Sequence, residues 1–248
     1  MFRPQGFKDH FSRQAAEYAK FRPRYPKELF QWLAGVAPST QLAWDCATGN
    51  GQAAVELAEL FERVIATDAS ERQIGSAEAH APVEYRVAPA EESGIDSNTV
   101  DLITVAQALH WFNLERFYAE ARRVSKPGGV LAVWAYKLAT VSPEIDAMVN
   151  HYYSEVVGPF WPEERVLVEK FEELAFPFPE IAAPLFEMVA EWNAEHLIGY
   201  LRTWSATQRF MAANQRDPVE EIEGGLRTAW GNEVRLVVWP LTARVGRV

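Results

Sequence analysis

The chain has 248 residues, 48% hydrophobic and 23% charged, with a formal net charge of −10. That composition describes a globular chain long enough for one sizeable core, not a disordered one. Lys and Arg are scattered with no basic run, so a polyanion held by phosphate neutralisation is a poor partner, and a small or neutral substrate is expected.

Cys46 is the only cysteine, which excludes an intrachain disulfide. The opening "MFRPQGFKDHFSRQ" lacks the apolar core of a signal peptide, and no apolar run approaches the roughly 20 residues of a membrane helix. A soluble, cytoplasmic protein is expected, with neither nucleic acid nor membrane as partner.

In chain order, residues 8–20 and 26–36 read as helices, joined by the proline-locked turn "FRPRYP". From position 41 short apolar runs alternate with helical segments. "QLAWDC" precedes the helix "GQAAVELAELFE", and "RVIATD" precedes "SERQIGSAEA". "VEYRVA" leads to a loop containing "EESGID", read as solvated. "VDLITVA" precedes the helix "NLERFYAEARRV", and "KPGG" stops that helix and turns into "VLAVWAY". Strands interleaved with crossings predict a parallel sheet, doubly wound by right-handed crossovers. Residues 142–175 and 193–230 are expected to be mostly helical. "PLFEMVAEW" is expected as a sixth strand and "VRLVVWPLTARV" as a seventh. The helical stretch between strands five and six reads as a lid, placed where doubly wound proteins build specificity.

The loop after the first strand is "WDCATGNGQAA". Gly49, Gly51 and Ala54 satisfy the dinucleotide pattern G-x-G-x-x-G/A, and Asp68 ends the next strand in the place of a ribose-binding acid. Asp45 argues for another ligand. A carboxylate there repels a pyrophosphate but attracts an ammonium or sulfonium, and S-adenosylmethionine carries both cations and a ribose.

"WDCATGNGQ", "IATDAS", "APAEESGIDSNTVDLITVAQALHWF" and "RRVSKPGGVLAVW" stand in the order and spacing of class I S-adenosylmethionine-dependent methyltransferases. Over roughly residues 8–137 the chain resembles the small-molecule group that includes trans-aconitate methyltransferase-like proteins. The resemblance implies a Rossmann-like sheet of seven strands with the last antiparallel. It implies one domain over 1–248: an N-terminal helical cap (1–37), a cofactor-binding core (38–137), a helical lid carrying strand six (138–230) and a C-terminal strand (231–248). S-adenosylmethionine is the implied cofactor, S-adenosylhomocysteine the product and a small molecule the acceptor. Asp45 would face the methionine end, and Gly49 and Gly51, beside Ala47, would let the backbone approach the ligand. Asp68, followed by Ala69, would accept from the ribose hydroxyls. Ala90 and Glu91 match the adenine-contacting turn, and Gln107 would line the methyl-bearing end.

Two positions depart from the family pattern. Ala47 replaces the first glycine, tolerable at negative φ and strained at positive φ. Pro89 stands where many relatives carry an aspartate.

His110, in "ALHWF", is either a base of near-neutral pKa or a residue that opens a helix with Trp111 and packs against the lid. The segment "FRPRYP" is either a surface turn or part of a closed site. For the second, the resemblance implies N-terminal helices that fold over the cofactor, with Tyr18 and Arg22 as wall residues and Arg22 as a clamp for a substrate carboxylate; Arg24 carries no such role. Trp161, Trp192 and Trp204 read chiefly as lid core, with one or two lining a pocket. Cys46 reads as a small buried hydrophobe. No metal is expected, since His10, His80, His151 and His196 lack ligand spacing. Two other functions stay open: a nicotinamide-dependent oxidoreductase, and a cofactor-binding module without turnover.

Overall fold

The computed structural model describes residues 21, 23–77, 79–165, 168 and 170–248. The helix expected over 8–20, together with Tyr18 and Arg22, lies outside the described residues. The short apolar runs form β1 (Leu42–Cys46), β2 (Arg63–Asp68), β3 (Val83–Val87), β4 (Val100–Ala106), β5 (Ser125–Tyr136), β6 (Phe186–Trp192) and β7 (Arg235–Arg247). They make one seven-stranded sheet in the order β3-β2-β1-β4-β5-β7-β6. β1 to β5 run parallel, and β7 inserts antiparallel to both β5 and β6. The expected doubly wound sheet with an antiparallel last strand is the fold observed.

Side chains alternate between the two faces of each strand, and each face has its own core. Ala43, Val64, Leu102, Trp134 and Trp239 point to one side, where α1 (Lys27–Val36) and α2 (Gln52–Ala58) cover the β1–β4 region. Trp44, Ile65, Ile103, Val133 and Cys46 point to the other, against Phe117, Ala121 and Val124 of α4 (Leu114–Val124). Each fully buried large apolar side chain contributes on the order of 1.5–3 kcal/mol. Asn113 caps α4 by accepting from the Arg116 N–H at 3.2 Å, Glu115 occupies the first turn, and Arg122 and Arg123 occupy the last. All three match the helix dipole and its orphan amides.

Three local expectations change. α4 ends with Ser125 in extended geometry, and β5 begins there, so the glycines of "KPGG" do not cap the helix. Gly128, at φ +77°, instead belongs to an irregular start of the strand, where the β4–β5 register shifts between Val100 and Leu102. "EESGID" is only partly solvated: Ser93 and Ile95 are buried, because Glu120 accepts from the Ser93 N–H at 2.9 Å and from its hydroxyl at 2.5 Å.

The third change concerns the lid, whose helices come from both sides of β6. α5 (Pro143–His151) and a wide helical turn, Tyr152–Val156, precede it. α6 (Ala194–Arg202), α7 (Ser205–Asn214) and α8 (Glu220–Trp230) follow it. Between the two groups, Val168, Phe171 and Phe178 join the core on the α4 face. The connection from β5 to β6 therefore contributes to both sides of the sheet. The lid's own interior is aromatic: Trp204 packs against Tyr152, Tyr153, Trp161 and Tyr200, with ring centroids 5.6–5.9 Å apart.

Candidate active site

Strand order reverses between β1, whose other neighbour is β2, and β4, which leads on to β5. A crevice opens beyond the carboxyl ends of the strands at such a switch point. A cleft of about 750 Å³ lies there. Its walls bring together Ala47, Gly49, Asp68, Ala69, Ala90, Glu91, Gln107 and His110, eight positions singled out in the sequence.

The loop after β1 is built from inward-turned polar groups. The Thr48 N–H donates to the Thr67 carbonyl at 2.9 Å, the Gly49 N–H to Asp68 Oδ2 at 2.9 Å, and the Gly51 N–H to the Thr48 carbonyl at 3.0 Å. A pyrophosphate site needs such amides aimed outward. Here three of them are spent inside the protein.

Asp68 is 8% exposed at the end of β2, with Oδ2 taking the Gly49 N–H and Oδ1 the Ser70 N–H at 2.8 Å. An ionised carboxylate has roughly four lone-pair sites. The two backbone donors orient Asp68 on the cleft wall, where a carboxylate can accept from ligand hydroxyls. Small residues of the segment after β3 (Ala88, Pro89, Ala90) face it across the cleft wall and suit a flat apolar ring. This donor set fits the ribose and adenine of S-adenosylmethionine. Glu91 also holds the wall in place, its Oε1 accepting from the Asn113 N–H at 2.8 Å.

Asp45 and Gly51 sit elsewhere than expected. Asp45 is 1% exposed beneath the loop, not on the wall. Thr48 Oγ1 donates to its Oδ2 at 2.5 Å, Thr104 Oγ1 to its Oδ1 at 2.8 Å, and the Ala54 N–H reaches it from the first turn of α2. Burial pushes its carboxyl up to about 6, against those hydrogen bonds. Gly51, at φ +89°, is absent from the wall, and a Cβ there would collide with the Tyr85 hydroxyl. Its smallness serves packing against β3. Ala47 has φ +55°, the strained alternative for that position.

Gln107 also adopts positive φ, +56°, at the end of β4. Its N–H donates to the Trp134 carbonyl at 2.9 Å and its Nε2 to the Tyr136 carbonyl at 3.0 Å. The amide thus braces β4 to β5 while lining the cleft. His110 lies in a short turn, Leu109–Trp111, with its ring 4.7 Å from Trp111. The expectation of a near-neutral imidazole is corrected: burial, then the positive charge of Arg165, push it down to about 4.

Sequence reasoning missed several wall residues: Thr48, Tyr25, Tyr136, Tyr153 and Arg165. Tyr136 ends β5 and could have been nominated by the rule that ligands bind beyond strand ends. Tyr153 and Arg165 come from the lid and carry no motif. Of the three lid tryptophans, Trp161 and Trp204 line the cleft, whereas Trp192 is 7% exposed in the core. Cys46 is fully buried, and that burial pushes its thiol well up.

A methyltransferase domain family matches residues 44–133. A presumed methyltransferase of Dictyostelium discoideum is 35% identical over 92% of this chain and 88% of its own length. A presumed type II methyltransferase from Anaeromyxobacter dehalogenans is 47% identical in sequence. It superposes with a TM-score of 0.86 over 92% of this chain and 98% of that one. A Haemonchus contortus phosphoethanolamine N-methyltransferase, solved with S-adenosylhomocysteine, shares the fold at 16% identity and a TM-score of 0.50, covering 97% of this chain and 60% of that one. With the sheet order and the Asp68 site, these place the chain in the class I S-adenosylmethionine-dependent methyltransferase family.

Proposed function

We propose that the protein transfers a methyl group from S-adenosylmethionine to a small-molecule acceptor held beneath the aromatic lid. The observation that carries this reading is Asp68, which ends β2 on the cleft wall with its two oxygens oriented by the Gly49 and Ser70 backbone amides. In this reading Asp68 takes the ribose hydroxyls beside Ala69. Gly49 and Ala47 flank the amino-acid portion, Ala90 and Glu91 border the adenine, and Gln107 lies toward the methyl group. Asp45 acts from below, tying Thr48, Thr104 and the start of α2 into one rigid loop. The bound cofactor supplies an electrophilic methyl group on a good leaving group.

The chain's remaining contribution is alignment and exclusion of water, and holding reactants in a near-attack geometry lowers a barrier by roughly 7–11 kcal/mol. The aromatic wall of Tyr153, Trp161, Tyr200 and Trp204 supplies that enclosure. His110, neutral at pH 7, can accept a hydrogen bond from an acceptor. An imidazole pushed down to about 4 draws a proton poorly from an alcohol, which favours acceptors that are already nucleophilic. Tyr18 and Arg22 belong to this proposal as further wall and clamp residues. The acidic chain, −10 overall, supports a small acceptor over a nucleic acid. The resemblance to the trans-aconitate methyltransferase-like group supports it too.

The test is calorimetric titration with S-adenosylhomocysteine and, in parallel, NADH, followed by methyl transfer to a panel of small carboxylates, amines and alcohols. Binding of the first alone, with turnover on at least one acceptor, is expected. Heat with NADH alone would overturn the reading.

A further inference from the structure

The lid side of the cleft carries a charge that the function so far leaves unused. Arg165 is the one arginine in the lining among the described residues. Its Nε donates to the Tyr153 hydroxyl at 3.0 Å, and its guanidinium lies 4.9 Å from the Trp161 ring centre and 5.6 Å from that of Tyr153. No carboxylate lies within ion-pair distance of it among the described residues, although Glu164 is its neighbour in the chain.

Elsewhere in the lid region three arginines are neutralised. Arg202 pairs with Asp217 at 2.6 Å and Glu223 at 3.0 Å, Arg216 with Glu221 at 2.5 Å, and Arg227 with Glu195 at 2.8 Å. With 34 acidic residues against 24 basic ones, a carboxylate partner is easy to supply. The other acids on the cleft wall cannot serve: Asp68 is oriented by the Gly49 and Ser70 amides, and Glu91 by that of Asn113. Arg165 therefore turns a half-buried fork of N–H donors toward the space enclosed by aromatic rings. Stacking holds the fork flat, which lowers the cost of ordering it when a planar bidentate partner arrives. Lys137 adds a second cation to the lining, so the preference for a carboxylate rests on the planar fork, whose paired N–H groups match two carboxylate oxygens.

We propose that the acceptor is a carboxylate-bearing molecule with a flat apolar body, its carboxylate paired with Arg165 and its body against Trp161 and Trp204. This deepens the proposed function and rests on it. Arg165 acts here as a binding and specificity residue.

The test uses the full chain, with and without saturating S-adenosylhomocysteine. Its probes are phenylacetate and indole-3-acetate, each compared with its neutral amide by calorimetry. The acids are expected to bind at least tenfold more tightly than the amides. Arg165→Met, which keeps the stem over the rings, should erase that preference while leaving S-adenosylhomocysteine affinity unchanged. Arg165→Lys should retain part of it. Acids and amides treated alike by the wild type, neither bound, or a preference that survives in Arg165→Met would each overturn the proposal. Failure to take up S-adenosylhomocysteine would instead overturn the cofactor reading, and the acid–amide comparison without it would still report on Arg165.

Discussion

The two walls of the cleft are built by different means. The strand-end wall is built on backbone: amides of Thr48, Gly49 and Ser70, positive-φ residues at 47, 49 and 107, and a carboxylate held by them. The lid wall is made of side chains, tilted rings with centroids 5.0–5.6 Å apart and an arginine laid across two of them. Backbone construction tolerates little change, because each amide has one direction and each positive φ one or two suitable residues. Aromatic packing can be rebuilt with different rings at different positions. A shared cofactor with variable acceptors calls for this division.

Asp68→Ala probes the backbone-built wall most severely. In the proposed function it removes the oriented acceptor of two ligand hydroxyls, each such charged hydrogen bond contributing about 1.5–3 kcal/mol. S-adenosylhomocysteine affinity measured by calorimetry should fall by about 100-fold or more. Retained affinity would mean that the lid wall holds the cofactor and would break the contrast.

Gly51→Ala comes next. A Cβ at φ +89° meets the Tyr85 hydroxyl, so strain and overpacking together should cost about 3 kcal/mol in urea unfolding. Gly51→Ala combined with Tyr85→Phe should recover part of that loss, as it removes the colliding oxygen.

Asp45 gives a pH test of how firmly the loop is tied down. Its carboxyl is pushed up from 3.8 to about 6, so the folded state holds the proton more tightly than the unfolded chain. Its contribution to stability is complete below pH 4 and is lost as the pH rises through about 6, a change of about 2–3 kcal/mol. Asp45→Asn should flatten that portion of the stability–pH curve. An unchanged slope would place the titration elsewhere.

The smallest effect is expected from Ala47→Gly. Relief of an alanine at φ +55° is worth about 1–2 kcal/mol, partly offset by about 0.5–1 kcal/mol of added backbone entropy in the unfolded chain. A net gain of up to about 1 kcal/mol in thermal unfolding is expected. A loss would show that the methyl makes a contact worth more than the strain.

Much of the strand-end wall was legible because its chemistry is local in the chain. The residues at positions 45–54, 68–69, 90–91 and 107 stand at or shortly after strand ends, and alternation predicts where strands end. Even there, spacing could not separate a residue on the wall from one beneath it. Asp45 and Gly51 match the motif, yet one is enclosed by Thr48 and Thr104 and the other faces Tyr85. Burial also moved His110 away from the value its type suggests.

The family resemblance implied the antiparallel return of the last strand; by itself the amino-acid order determined the strand segments, the parallel winding of the first five and the glycine-containing loop. These follow from short-range periodicity and from turn residues with few conformational options. Only the tertiary structure decided which of the lid's rings are core and which are wall, and that Arg165 reaches the cleft without a carboxylate partner among the described residues. It also decided that helices from both sides of β6 share one layer. Those outcomes depend on contacts between segments tens of residues apart, where an aromatic or arginine side chain has many possible partners and no local pattern selects one.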